Sequence, residues 1–158
     1  MKIKDSGERR VFPSGAVRDI NADDKGRCDL MPLDVVAKVM NDKILDSIYE
    51  FQASGDYGYL VVALIHFKSE RYGDWETFFL EEAKHYGDGC KKYGEDNWKK
   101  GINVKSYIDS AVRHYLKWRR GDTDEPHDRA FGWNLLSACW TCEHLPELND
   151  YAKKEAKK

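Results

Sequence analysis

The sequence predicts an all-α fold, an antiparallel helical bundle of about five helices with a loop-rich N-terminal arm. Two observations carry this. From Pro32 onward, apolar residues recur at three- and four-residue spacing, and each such window ends on a Gly-, Pro- or Asp-bearing break. No segment alternates apolar and polar residues with the period of two that a half-buried strand needs.

Residues 1–31 lack a period and form the arm, in which Gly15 and Gly26 allow close backbone approach. Pro32 opens the first helix, whose stripe runs Leu33, Val36, Ala37, Met40, Ile44, Leu45, Ile48 and Phe51 up to the break at Ser54-Gly55-Asp56. A second helix, Tyr57 to Glu70, is apolar on most sides and is predicted to be central. Asp74 caps the third helix, Trp75 to Gly89, with Phe78, Phe79 and Ala83 expected inside and Glu82 and His85 at its edge. A turn follows, carrying Lys91, Lys92, Tyr93, Asn97 and Trp98. Ser106 is read as the cap of a fourth helix striped by Ile108, Ala111, Val112, Tyr115 and Trp118, which Gly121 ends. Pro126 starts the fifth, with its apolar run Phe131 to Trp140.

A chain of 158 residues suits one domain, 1–158. Charged residues make up 34% but balance to a net of −2, which argues against a nucleic-acid partner. The longest apolar stretch, Tyr57 to Phe67, is too short for a bilayer, and the N-terminus has no apolar leader, so no membrane partner and a cytoplasmic location are expected. Cys139 and Cys142 form a CxxC inside a helical pattern, read as structural thiols. The Lys-rich C-terminus is read as a solvated end.

Glu82 and His85, three apart, share a helix face that could hold a divalent cation or act in proton transfer. The next helix carries Asp109, Arg113 and His114, and the last region Glu125, His127 and Asn134. Helices joined by short loops can turn these groups into one cavity. Hard oxygen donors favour Mg2+ or Mn2+, and imidazoles shift the preference towards Mn2+. Lys91, Lys92 and Arg113 would oppose a bare cation, but they suit a ligand that brings phosphate charge. Asn97 and Trp98 suit a base or sugar. In the arm, Arg18, Lys25 and Arg27 are either surface charges or phosphate donors. There is no P-loop, nucleophile motif or dinucleotide fingerprint. His127-Asp128 is the kind of pair that a His-Asp phosphohydrolase would use.

The blocks SGAVRD (Ser14 to Asp19), KGRCDLMP (Lys25 to Pro32), HYGDGCKKYGEDNWKKG (His85 to Gly101), YIDSAVRHYLKW (Tyr107 to Trp118) and DEPHDRAFGWNLL (Asp124 to Leu136) resemble the phage and bacterial dATP/dGTP diphosphohydrolases. These are relatives of the all-α MazG-type nucleoside triphosphate pyrophosphohydrolases. The resemblance implies attack of a metal-activated water on the α-phosphate of a purine deoxynucleoside triphosphate, giving the monophosphate and pyrophosphate. MazZ-like phage members supply dGMP for 2-aminoadenine genomes, which would place the enzyme in the host cytoplasm. The stretch from 35 to 79 departs from the compact pattern and reads as an inserted helical pair. The paired ExxE-type metal signature is also replaced here, by Glu82 with His85 and by Asp109 or Glu125 with Asp128.

The expected metal ligands are Glu82, His85 and Asp109, then Glu125 and His127, with Glu82, Asp109 and His114 catalytic. Substrate would be held by Arg18, Lys25, Arg27, Lys91, Lys92, Asn97, Trp98, Arg113 and Asn134. A homo-oligomer is expected. The rival readings are a non-catalytic nucleotide-binding module and an enzyme that removes phosphates stepwise.

Overall fold

The computed structural model describes residues 3–19 and 25–153. Its helices are α1 (Leu33–Met40), α2 (Lys43–Ser54), α3 (Gly58–Arg71), α4 (Trp75–Tyr93), α5 (Val104–Arg120) and α6 (His127–His144). The predicted all-α class holds, with several corrections of detail, among them that α5 starts at Val104 with Asn103 before it, so Ser106 lies inside the helix and does not cap it. The Lys-rich end from 154 and the arm residues 20–24 lie outside the described residues.

The first correction is that the predicted helix across 33–51 is two helices. Asn41 adopts a left-handed conformation (φ 52°), and the Asp42 carboxylate then accepts from the Leu45 N–H at 2.9 Å to cap α2. The apolar spacing survives this break because both pieces bury the same side. Ile44, Leu45, Ile48 and Phe51 are fully buried.

The second correction is a short antiparallel hairpin in the arm, β1 (Arg9–Val11) with β2 (Val17–Asp19), pairing Arg9 with Asp19 and Val11 with Val17. Three residues per strand are too few for alternation to be seen in sequence. The hairpin is anchored instead by Phe12 and Ala16, both buried at its turn.

The third correction concerns α4. It continues past Gly87 and Gly89 to Tyr93, so Lys91 and Lys92 sit on its last turn and not in a loop. Isolated glycines weaken a helix but do not end one that tertiary packing supports. Its buried stripe is Phe78, Glu82 and His85, whereas Phe79, Leu80 and Ala83 face outward. Phe78 is inside as predicted, but Phe79 and Ala83 trade places with Glu82 and His85.

Phe67 on α3 is the hub of the core. Its ring meets Phe131 of α6 at 4.7 Å, Trp118 of α5 at 5.2 Å and Phe78 of α4 at 6.0 Å, all edge-to-face. That geometry suits the aromatic quadrupole. The other side of α3 is not central as predicted, since Val61, Val62 and Ile65 are exposed. α5 and α6 pack along one another, and the 3-10 turn Cys28–Leu30 lies on α5. Among the described residues, no helix is long and apolar enough to cross a membrane.

Candidate active site

A cavity of about 270 Å³ opens between the hairpin, the C-terminal half of α4, α5 and the start of α6. Of the residues singled out in the sequence, it is lined by Arg18, Lys25, His85, Lys92, Asn97, Asp109, Arg113, His114, Glu125 and Asn134. The structure does not bring the rest of them to its wall. Arg27 turns away to grip Asp29 through two bonds of 2.8 and 2.7 Å. Lys91 is exposed, one residue and therefore about 100° round the helix from Lys92. Trp98 packs edge-on against Tyr86 and Trp140 and lines a small side pocket. That pocket shares Gly89, Tyr93, Asn97 and Trp133 with the cavity.

Glu82 lies behind the wall, 2% exposed, with both carboxylate oxygens buried and unpartnered. Gly132 makes room for it: a Cβ there would stand 2.2 Å from Glu82 Oε1. Burial, reinforced by Asp128, pushes its carboxyl up to about 9, so it is neutral at pH 7. His127 also lies behind the wall, 1% exposed. The His127-Asp128 pair does not act together, since Asp128 pairs with Arg71 at 3.0 Å.

Several lining groups are occupied with the arm. The Asn97 amide accepts from the Val17 N–H (2.9 Å) and donates to the Val17 carbonyl (2.7 Å). Asp109 Oδ1 accepts from both the Cys28 N–H and Arg113, each at 2.7 Å, and Arg113 also donates to the Gly26 carbonyl. Lys92 pairs with Asp19 at 3.2 Å, and Lys4 with Asp124 at 2.7 Å. Sequence reasoning missed Lys4, Arg10, Ser110, Lys117 and Trp133 as lining residues. No motif marks them, and the hairpin and helix register alone bring them to the wall.

Arg18 differs from the paired cations. Its Nη2 donates to Ser110 Oγ (3.1 Å) and Asn134 Oδ1 (3.2 Å), while Nη1 is buried with no partner. The rings of Tyr107 and Trp133 lie 5.5 and 5.6 Å from its guanidinium. Burial lowers its pKa, but a guanidinium stays charged. Among the described residues, no ion pair engages Arg18, Arg10, Lys25 or Lys117. Cations without an ion pair on a cavity wall can neutralise an anionic ligand.

At the other extreme of charge, the ligating atoms of His114, Glu125 and His127 lie within 4.8 Å of one another, as do those of Asp122, Asp124 and His127. Imidazole with carboxylate suits a small divalent cation. Burial, then His127, drives the His114 pKa well below its ordinary value, and burial depresses that of His85 to about 4. Hydrogen bonds from Lys4 and His127 hold Asp124 well below the usual carboxylate range. Cys139 and Cys142 are free thiols, both pushed up to about 12 by burial, which makes them poor nucleophiles.

No curated protein and no solved structure matches the chain. A family model described as dATP/dGTP diphosphohydrolase, N-terminal, matches residues 64–151, which include α4, α5 and α6 entire. That match spans more than half of the chain and three of the elements that wall the cavity. The chain therefore belongs to the dATP/dGTP diphosphohydrolase, N-terminal, family.

Proposed function

We propose that this protein is a divalent-cation-dependent nucleotide pyrophosphohydrolase, converting dGTP or dATP to the deoxynucleoside monophosphate and pyrophosphate. One observation supports this above the others: a single cavity combines unpaired cations around Arg18 with imidazole and carboxylate donors at His114 and Glu125. A metal-bound triphosphate carries both complements, anionic oxygens for the former and a cation for the latter.

In this reading Arg18, with Lys25, Arg10 and Lys117, neutralises the phosphates. Asn134 and Ser110 aim the Arg18 fork. His114 and Glu125 hold Mg2+ or Mn2+, and Asp109 lines the same cavity. When bound, the cation supplies charge for the α-phosphate oxygens and acidifies a water. Trp133 and Tyr93, which border both the cavity and the side pocket, offer faces for the purine. Glu82 is left out of the chemistry and acts from within the core.

The enzyme would act in the cytoplasm on free nucleotides and, if phage-encoded, would supply dGMP for 2-aminoadenine DNA. The whole chain is read as one domain, with 35–79 as its added helices. Self-association is part of the same proposal, because α4 turns Trp75, Phe79 and Leu80 outward. A monomer by light scattering would remove it.

The decisive experiment incubates the protein with each dNTP and NTP, with Mg2+ or Mn2+, and separates the products. Monophosphate with pyrophosphate from a purine dNTP is the expected result. Orthophosphate would indicate stepwise removal, and tight binding without turnover would indicate a non-catalytic module.

A further inference from the structure

Lys4, on the cavity wall, commits every polar group it has to other walls of the same cavity. Its backbone N–H donates to Glu125 Oε1 at 3.0 Å, and its ammonium meets Asp124 Oδ2 at 2.7 Å. From the last turn of α4, the Lys92 ammonium donates to the Lys4 carbonyl. Ile3 lines the cavity beside it. The residues that follow are tied to the hairpin instead. Asp5 holds Arg9 through bonds of 2.8 and 3.1 Å, and the Ser6 N–H donates to Asp19 at 3.1 Å. Ile3 and Lys4 are therefore a strap with its base on the hairpin, linking α4 to the loop between α5 and α6.

The partners of the strap are the groups a cation would need. Glu125 belongs to one set of close imidazole and carboxylate donors and Asp124 to the other, and Lys4 is bonded to both. A carboxylate that accepts from an N–H or an ammonium directs a lone pair there, and a positive charge at that point repels a second cation. The same strap detains Lys92, a cation of the cavity wall. Its hold is weak, however. The Lys4 and Asp124 side chains are 63% and 44% exposed, and an ion pair so open to water contributes little.

We infer that Ile3 and Lys4 form an autoinhibitory strap, in which Lys4 is a tethered monocation on the carboxylates of Asp124 and Glu125 that a divalent cation must displace. Strap and cation exclude one another at these oxygens. Release of the strap also frees Lys92 from the Lys4 carbonyl, so that its ammonium can turn to a phosphate. The competition rests on the reading of the cavity as a nucleotide–cation site.

The test follows the strap and the cation together, without nucleotide. Full-length protein labelled with 15N at lysine is titrated with Mg2+, and the Lys4 amide is assigned by the signal missing from Lys4→Arg. As Mg2+ saturates, that signal should shift and its exchange with solvent should accelerate, because the bond to Glu125 is lost. Mn2+ affinity, read by titration calorimetry, should rise about two- to fivefold in Lys4→Gln, the size of an exposed ion pair, and stay near wild type in Lys4→Arg. A Lys4 amide as protected at saturating Mg2+ as before would show the cation binding beside a closed strap and overturn the inference. Mn2+ affinity unchanged or lowered in Lys4→Gln would overturn it too. Both outcomes leave the cation site standing, whereas no binding of Mn2+ to wild type or variant would remove the site and the strap's role with it. The wild-type titration decides even if a variant does not fold.

Discussion

The side-chain amide of Asn97 pairs with both the N–H and the carbonyl of Val17, as a neighbouring strand would. It thereby joins the 3-10 turn Asn97–Lys100, which follows α4, to β2 of the hairpin. Asn97→Ala removes both bonds, each worth about 1 kcal/mol net. Hydrogen exchange at the Val17 amide should accelerate while the helical circular dichroism stays as it is. Because β2 carries Arg18, the KM for the nucleotide should rise roughly tenfold with a smaller change in kcat.

Arg18 is held by Ser110 and Asn134 through one nitrogen, with the other buried and unpaired. Arg18→Lys keeps the charge but loses the planar fork. Nucleotide affinity is expected to fall about 10- to 100-fold, measured by calorimetry. The melting temperature should hold or rise, because a buried donor without a partner is a cost. Affinity equal to wild type would remove Arg18 from the phosphate site.

Gly132 and Glu82 are coupled sterically. An added methyl at 132 would lie 2.7 Å from Glu82 Cδ and 3.2 Å from the Phe78 ring. Gly132→Ala should therefore destabilise by about 1–3 kcal/mol despite the better helix propensity of alanine. In a Glu82→Ala background most of that loss should disappear. A double-mutant cycle in urea measures the difference.

The same carboxyl gives stability a pH dependence. Glu82 keeps its proton in the fold up to about pH 9, but in the unfolded chain it ionises near 4.5. Between these values the folded state binds more protons, so the Glu82 contribution to stability falls as pH rises. Glu82→Gln should gain on the order of 2 kcal/mol over wild type at pH 8 and little at pH 5, read as thermal midpoints. His85 acts in the opposite sense. Depressed to about 4, it adds stability as pH rises from there through 6.5. The difference between variant and wild type isolates Glu82.

Much of the site was legible because short-range spacing decides it. His114 follows Arg113 and Asp109 on one helix, and the fork of α5 and α6 is set by the break at Gly121 to Pro126. The cations of the arm were visible as residues but not as partners. Arg27 and Arg18 look alike in sequence, yet Arg27 finds Asp29 two residues away, while Arg18 is carried by the hairpin to Asn134 on α6. Glu82 was misplaced for a related reason. Periodicity takes the apolar side of α4 as the inside, but the helix buries Phe78, Glu82 and His85 and leaves Phe79 and Leu80 in solvent.

Taken alone, the sequence determined the all-α class, most helix boundaries, the family resemblance and the residue types of the site, all of which depend on neighbours within a few positions. The tertiary structure alone decided which face of α4 points inward, which arginines among the described residues lack an ion pair and which histidines meet the cavity. Those outcomes depend on contacts between groups far apart in the chain: Arg18 with Asn134, Glu82 with Gly132, Asn97 with Val17. Burial and hydrogen bonding act through space, and periodicity along one helix carries no record of what packs against it.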